Sequence, residues 1–349
     1  MWLLTNETPF AAASTWARDE RGAEFWLVAI RACFDIGPDG RQKPSVPQTQ
    51  IARAPVFADD PATTEMIEDC DLYLIKARTD VLVSGHAYTP DTRPAERTEI
   101  RLKVADIDKT VSVIGDRFIA NGPVSLMLSQ PALFQRMPLT WERAFGGTEA
   151  ATPAWEPANP VGRGFATRHS ELEGKLAPNF EYPDSPYRAL GTGRPAGFGP
   201  VAHHWQPRIR YGGTYGKAWL DHRDPLLPVD FDRMYYQSAP VDQQTGAPLV
   251  GYERVQLGCF TVDGYLDFLI PRLNFDLRTR FTRRREQRHG TAIHTLRLFP
   301  DLRRFELTHL SALEVPPGHE EHMEETVVRL RTRIGTPDSV LQTGVWVAD

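Results

Sequence analysis

The chain has 349 residues and a formal net charge of −5, and its hydrophobic fraction of 41% and charged fraction of 24% are ordinary for a globular protein. The negative net charge gives no reason to expect a nucleic-acid binder. Three cysteines do not make a disulfide framework, and no segment is apolar over the roughly 18 residues that a membrane-spanning helix needs. The first residues lack a signal-peptide pattern, so we expect a cytoplasmic protein without membrane insertion.

The first strong pattern is the alternation of apolar residues over residues 25–36. Every even position there is apolar, whereas Arg31 and Asp35 make the other face polar. This period of two predicts a strand with one buried face. Residues 72–82 predict a second long strand that ends in a turn at Ser84 and Gly85.

Two further pairs of segments have the pattern of neighbouring strands. Residues 99–104 and 109–114 alternate between apolar and polar side chains and are joined by a short connection, which predicts a pair with one solvated face. Residues 293–299 and 304–309 predict a second pair, with the turn near Pro300.

The middle of the chain, at about residues 120–250, is dense in proline, glycine and aromatic residues. Because proline does not fit in central strands or helix interiors, this frequency of prolines argues against long regular elements here. So many large rings also argue against a solvated, disordered chain. We therefore expect ordered loops that are packed by their own aromatic side chains.

These patterns together predict a mainly β fold, an antiparallel β-sandwich or distorted barrel with long loop insertions and few short helices. We expect one domain over residues 1–315, with its loop-rich insertion at about 120–250. Residues 316–349 have a weaker pattern and are expected to form a C-terminal extension.

Two groups of residues suggest chemistry. Asp230 and Asp232 resemble a two-carboxylate metal clamp, and His203 and His204 offer a base or a metal ligand. The more ordinary interpretation is that the aspartates cap backbone amides of a rigid turn and that the histidines are packed or lie at the surface. No nucleophile motif or phosphate loop is present, so we expect no catalytic residues, cofactor or metal.

Three other patterns have ordinary explanations. His319 and His322 are three residues apart, whereas a helical zinc site needs a spacing of four. The glycines between residues 191 and 199 fail both phosphate-binding patterns, so turn formation is their expected use. The basic run at residues 283–288 is expected to be a solvated loop or an ion-paired rim. If it binds a partner, we expect an acidic partner and not a nucleic acid.

A series of short motifs runs along the chain in a fixed order, with matching stretches at residues 80–88, 138–147, 159–165, 197–200, 205–208, 213–215, 219, 225–232 and 239–244. With these motifs the chain resembles accessory proteins, described as a domain of unknown function, that are encoded in bacterial type VI secretion clusters. Their genes lie beside those of VgrG spike proteins, PAAR-like tip proteins and toxic effectors. The resemblance covers about residues 20–310.

The resemblance implies a non-enzymatic adaptor or chaperone that binds an effector or a PAAR-like tip protein and helps to load it onto the VgrG spike. Aromatic and arginine side chains on rigid loops are the residues that protein interfaces favour. Our candidates for contact with the partner are Trp141, Arg143, Phe145, Arg163, Trp205, Arg208, Tyr215 and Trp219. The alternative is a metal-assisted hydrolase or transferase that uses Asp230 and Asp232 with His203 or His204.

Overall fold

The computed structural model describes residues 2–149, 152–282, 284–319 and 322–331. The predicted mainly β fold is confirmed, because three large sheets form the framework and the described residues contain a single α-helix, α1 (Lys217–His222). None of the helices within the described ranges is long and apolar enough to cross a membrane.

The strands follow one another along the whole chain. The first ten are β1 (Leu3–Asn6), β2 (Ala11–Arg18), β3 (Glu24–Ile36), β4 (Gln42–Pro44), β5 (Val56–Phe57), β6 (Met66–Glu68), β7 (Asp80–Val83), β8 (His86–Tyr88), β9 (Arg97–Val104) and β10 (Ile107–Ile114). The middle of the chain has β11 (Ile119–Asn121), β12 (Leu126–Leu128), β13 (Arg136–Pro138), β14 (Phe145–Gly146), β15 (Arg163–Gly164) and β16 (Phe180–Glu181). The last strands are β17 (Arg254–Gly258), β18 (Tyr265–Leu269), β19 (Asn274–Phe281), β20 (Arg284–His289), β21 (Ala292–Phe299), β22 (Arg304–Val315) and β23 (Met323–Arg331).

Short 3-10 helices connect many of these strands. They lie at Pro90–Thr92, Trp141–Arg143, His169–Glu171, Arg208–Tyr211, Arg233–Tyr236, Val241–Gln243 and Pro300–Leu302. Five of the seven lie within the proline-rich middle of the chain, at about residues 120–250, where prolines prevent longer regular elements. The middle of the chain is therefore built of ordered loops with two- and three-residue strands, as its composition predicts.

The three large sheets share one hydrophobic core. Their strand orders are β2-β3-β22-β21-β7 with β4 beside β3, β16-β10-β9-β17-β18, and β1-β23-β19-β20. Phe268 of β18 stacks on Phe305 of β22 at 4.9 Å, and Phe10 meets Phe275 of β19 at 6.1 Å, so rings from all three sheets meet in the core. Most strand pairs are antiparallel, β1–β23 and β7–β21 are parallel, and none of these sheets closes into a barrel within the described residues.

The predicted pairs of strands are present. β9 pairs antiparallel with β10 and has a strictly alternating burial pattern, which confirms one solvated face. β21 pairs antiparallel with β22 through the 3-10 turn at Pro300–Leu302. In each case alternation placed the apolar residues on the side that faces the shared core.

Strand β3 differs from its prediction because both of its faces are buried. Its even residues face the main core, whereas Leu27 and Ala29 pack in a second apolar cluster with Leu74. Arg31 is fully buried on this second face and forms ion pairs with Glu68, Asp71 and Glu306. The polar residue in the pattern therefore marks a buried charge cluster and not a solvated face.

The long strand expected over residues 72–82 is wrong, because only β7 is extended there. The backbone amides before it are bonded by side chains instead of a neighbouring strand. The amide of Arg78 donates to Gln237 Oε1 at 3.3 Å, and that of Thr79 donates to Thr245 Oγ1 at 3.0 Å. Because side chains accept the hydrogen bonds of these backbone amides, the segment does not need a neighbouring strand to satisfy them.

The segment after Pro316 contributes to the framework. β23 lies between β1 and β19, with Thr5 opposite Val327 and Asn274 opposite Arg331. Residues 323–331 are thus an inner strand of the four-stranded sheet. The rest of the expected extension, residues 332–349, lies outside the described residues.

Buried histidines predict a loss of stability in acid. Burial lowers the pKa of His309 to about 3 and that of His289 to about 4. An unfolded chain would take up a proton on each near its ordinary pKa, so the stability is complete above about pH 6.5 and falls as the pH drops toward the folded pKa values. When the pH is lowered from about 6.5 to about 5, we expect the free energy of unfolding of His309→Gln to fall by about 2 kcal/mol less than that of the wild type, as measured by urea unfolding. Identical pH profiles for the two proteins would contradict this.

Candidate functional site

The two most distinctive motifs of the sequence form one buried assembly, which we call the loop core, built from residues 138–147, 159–165 and 191–199. Trp141 and Phe145 are almost fully buried in it. The Trp141 indole Nε1 donates to the carbonyl of Pro200 at 3.1 Å, and its ring meets that of Trp205 edge to face at 5.7 Å. Each ring thus has an apolar surrounding and Trp141 has a satisfied donor, as buried aromatic residues require.

Asn159 ties the two motifs of the loop core together. Its buried side-chain amide donates to the carbonyls of Trp141 at 2.8 Å and Phe145 at 2.9 Å. The backbone of Gly146 lies next to Asn159 and has a φ of 151°. A Cβ at Gly146 would lie 2.1 Å from the backbone carbonyl oxygen of Asn159. Only glycine fits such a close approach, which explains the glycine pair that ends the first motif.

The glycine-rich run lies against the same rings. A Cβ at Gly193 would be 2.8 Å from the ring of Phe145, and one at Gly197 would be 2.5 Å from the ring of Trp141. These glycines let the backbone approach the aromatic faces closely. Their function is packing, in agreement with the failed phosphate-loop spacing.

A buried carboxylate supports the start of the loop core. Glu65 Oε2 accepts the amide of Trp141 at 2.8 Å. Burial, with a smaller contribution from the nearby Glu142, raises the pKa of Glu65 to about 7, although the hydrogen bond from the Trp141 amide opposes this rise. This carboxyl caps a 3-10 turn, and its hydrogen-bond partner is a backbone amide.

Arg143 and Arg163 are half-buried at the rim of the loop core and meet at Asp116. Arg143 Nη1 lies 3.3 Å and Arg163 Nη1 3.9 Å from Asp116 Oδ1. The Arg163 Nε also donates to the carbonyl of Glu142 at 3.0 Å. Burial and then the charge of Arg143 lower the pKa of Arg163. Both guanidiniums therefore lie against one shared carboxylate, and that of Arg163 also bonds to the backbone.

Arg208 is part of a buried polar network. It pairs with Asp69 at 2.9 Å and donates to the carbonyls of Val201 at 2.7 Å and Tyr235 at 3.0 Å. His203 Nε2 lies 3.3 Å from Asp69 and 2.6 Å from the hydroxyl of Tyr73. Burial alone would raise the pKa of Asp69, but Arg208 and then His203 hold it well below its usual range.

Half of the predicted partner-contact residues are thus internal. Four of them are at least nine-tenths buried and cannot touch a partner in this structure: Trp141, Phe145, Trp205 and Arg208. The prediction that these four residues contact the partner is corrected accordingly. The physical reason is that large rings and ion-paired guanidiniums serve cores and interfaces alike.

Tyr215 and Trp219 have the opposite placement, on a surface segment that we call the α1 platform, residues 209–230. Their rings meet edge to face at 4.8 Å. Four large apolar side chains of this segment are mostly exposed: Ile209 (48%), Tyr215 (57%), Leu220 (63%) and Val229 (84%). Such a concentration of exposed apolar side chains is typical of a protein-binding surface.

Several side-chain bonds hold the platform rigid. Asp230 accepts the amide of Thr214 at 2.9 Å and its hydroxyl at 2.7 Å, and these bonds lower the pKa of Asp230. The Trp219 indole donates to the carbonyl of Leu226 at 2.7 Å, and Arg223 Nε donates to that of Leu227 at 2.9 Å. A surface fixed in this way loses little conformational freedom when a partner binds.

The residues of the alternative, enzymatic interpretation are engaged separately. Asp232 caps the next 3-10 turn through the amide of Met234 at 2.8 Å, and Asp230 is bonded to Thr214. His203 belongs to the Asp69 network, and His204 contacts the Trp205 indole at 3.0 Å. Within the part of the chain that the structure describes, no three His, Cys, Asp or Glu residues are grouped to hold a metal ion.

The remaining polar patterns have local partners. The amide of His322 donates to the carbonyl of His319 at 3.1 Å, and the two glutamates between them lie outside the described residues. In the basic run, Arg283 also lies outside the described residues, whereas Arg288 bonds to Asp276 at 2.8 Å.

Sequence reasoning missed Ile209, Leu220 and Val229 as members of the platform. The α1 helix has six residues, and its apolar residues form no stripe that distinguishes a buried from an exposed face. The signal that was available is the cluster of prolines and aspartates after α1, which predicted a rigid turn.

Comparison with known proteins gives one match. Neither a curated protein nor a solved structure shows significant similarity to the chain. The model of one bacterial family matches residues 21–309, which include strands of all three sheets, the loop core and the α1 platform. The chain therefore belongs to the family described as "Uncharacterized protein conserved in bacteria (DUF2169)".

Proposed function

We propose that this protein is a cytoplasmic adaptor or chaperone of a bacterial type VI secretion system. It holds an effector or a PAAR-like tip protein and helps to load it onto the VgrG spike. It acts by binding, without covalent chemistry. The motif resemblance described above motivates the choice of secretion system, and the α1 platform motivates the choice of binding over catalysis.

The observation that carries the binding function is the rigid exposure of Tyr215 and Leu220. Burying an apolar side chain of this size against a partner contributes about 1.5–3 kcal/mol. The hydrogen bonds of Asp230 and Trp219 fix the platform before the partner arrives. Aromatic residues that are held in place and partly exposed are the usual centres of binding energy in protein interfaces.

The α1 platform is anchored to the buried interior where it begins. The 3-10 helix Arg208–Tyr211 joins Arg208, which is buried against Asp69, to Ile209, which is exposed. The motif residues thus specify a scaffold, and the segment that leaves this scaffold presents the contact surface. This division explains why so many aromatic residues of the motifs are internal.

The test is co-expression of the full chain with the effector and PAAR-like proteins encoded beside it, followed by size-exclusion chromatography. We expect a stable complex with one of them. Leu220→Asp and Tyr215→Ala should each weaken the complex at least about tenfold, since loss of a central contact costs about 2 kcal/mol.

Val124→Asp is the matched control. Val124 is 98% exposed in the β11–β12 hairpin, which is outside the platform. It should bind like the wild type, and all three variants should keep the wild-type melting temperature. If the chain co-elutes with none of the neighbouring gene products, the adaptor function is rejected. If only Val124→Asp weakens the complex, the contact surface is the β11–β12 hairpin and not the platform.

A further inference from the structure

The solvent face of the four-stranded sheet carries an unusual excess of arginine. Strands β19, β20 and β23 lie side by side there, with Arg278 opposite Arg288 and Asp276 opposite Arg329. An open cavity of about 650 Å³ lies at this place, and Arg272, Asp276, Arg288 and Arg331 are among the residues that line it.

A single buried carboxylate organises the site. Asp276, whose side chain is 9% exposed, accepts Arg288 Nη2 at 2.8 Å, Arg278 Nε at 3.1 Å and Arg331 Nη2 at 3.1 Å. One negative charge thus positions three guanidiniums, each of which is between one third and just over one half exposed. We call Arg272, Arg278, Arg288 and Arg331 the arginine cluster.

The neighbouring charges do not neutralise the cluster. Arg329 is matched by Glu7 at 2.6 Å, and Arg280 is matched by Glu325. Glu286 lies 3.5 Å from Arg278 Nη1. Among the described residues, the four arginines of the cluster therefore face two carboxylates, Asp276 and Glu286, which leaves two surplus positive charges at this site on a chain of net charge −5.

The chemistry of the site favours carboxylate ligands. A guanidinium has five donors in a planar fork that matches a carboxylate, and Asp276 uses only some of the donors of Arg278, Arg288 and Arg331. The remaining donors belong to partly exposed side chains at the open cavity, where a ligand can reach them. His289 adds no charge at neutral pH, because burial lowers its pKa to about 4.

We propose that the arginine cluster binds an acidic segment of a partner protein, with Asp or Glu carboxylates bonded to Arg272, Arg288 and Arg331. This site is separate from the α1 platform and does not depend on the secretion function. On an acidic protein, a local positive site selects acidic partners by charge complementarity and speeds their encounter at low salt.

The test uses the purified full chain and a fluorescent oligoglutamate peptide, with fluorescence anisotropy at low and high salt. We expect saturable binding at low salt that weakens as salt rises. Arg272→Glu and Arg331→Glu should each weaken binding at least about tenfold. Arg272 forms no ion pair within the described residues, so its replacement leaves the Asp276 network intact.

Arg101→Glu and Arg254→Glu are matched controls, because each of these exposed arginines pairs with one aspartate on the five-stranded sheet, at 2.6 Å and 2.5 Å respectively. They should bind the peptide like the wild type. Absent binding, or an equal loss in the controls, would overturn the proposal. Tighter binding of single-stranded DNA than of oligoglutamate would also overturn it and would assign the cluster to nucleic acid.

Discussion

Trp141→Ala should lower the free energy of unfolding by about 3–5 kcal/mol, the usual cost of removing a buried tryptophan. The ring fills the centre of the loop core, where the backbone of Gly197 lies directly against it and Trp205 meets its edge. Glycine cannot move a side chain into the space, so the cavity would stay open. Urea unfolding followed by circular dichroism measures the effect.

Tyr215→Ala is the counterpart at an exposed ring. Because Tyr215 is mostly in solvent, its loss should change the unfolding free energy by no more than about 0.5–1 kcal/mol. The two aromatic residues were predicted to have the same role, and this pair of variants separates them. Equal effects on stability would contradict the assignment of Trp141 to the scaffold and Tyr215 to the surface.

Arg31→Met should also cost about 3–5 kcal/mol, since it removes the main cation from a buried cluster of charges. Arg31 Nη1 lies 2.6 Å from Glu68 and 3.8 Å from Glu306, and Arg31 Nη2 bonds to Asp71. Among the described residues, Arg297 would remain as the other cation that pairs with Glu68 and Glu306. Guanidinium unfolding of the variant and the wild type measures the difference.

The deficit of Arg31→Met should depend on pH. Burial raises the pKa of Asp71 even with Arg31 present. Without the arginine this carboxyl should bind a proton more readily when folded, so the deficit is greatest near neutral pH and shrinks as the pH falls. Arg101→Met is the control, because its solvent-exposed pair with Asp108 should contribute little to stability. A deficit of Arg31→Met as small as that of the control would contradict the account.

Much of the strand framework follows from the alternation of apolar residues. β9, β10 and β21 were predicted because their apolar residues recur at every second position and face one core. β3 was located correctly, but the meaning of Arg31 was missed, because a buried and a solvated arginine look the same in a sequence. The segment before β7 was misassigned because its backbone is bonded by side chains such as Gln237 and Thr245, which are remote in the sequence.

The candidate site was only partly predictable for a related reason. Composition indicated rigid, aromatic loops, but it could not separate Trp205, which has no exposed surface, from Tyr215. That separation depends on which glycines and carbonyls pack against each ring. Of the arginine cluster, the basic run at residues 283–288 contains only Arg288. The geometry of the cluster requires β20 and β23 on the two sides of β19, which is a long-range pairing.

Hydrogen exchange of the chain alone and in complex with its effector or PAAR-like partner tests the central claim most directly. We predict that the partner slows exchange across residues 209–230, while amides of the loop core at residues 141–146 and 163–165 exchange slowly in both states. Protection confined to other segments, or a platform whose exchange the bound partner leaves unchanged, would contradict the assignment of the α1 platform as the surface that holds the cargo.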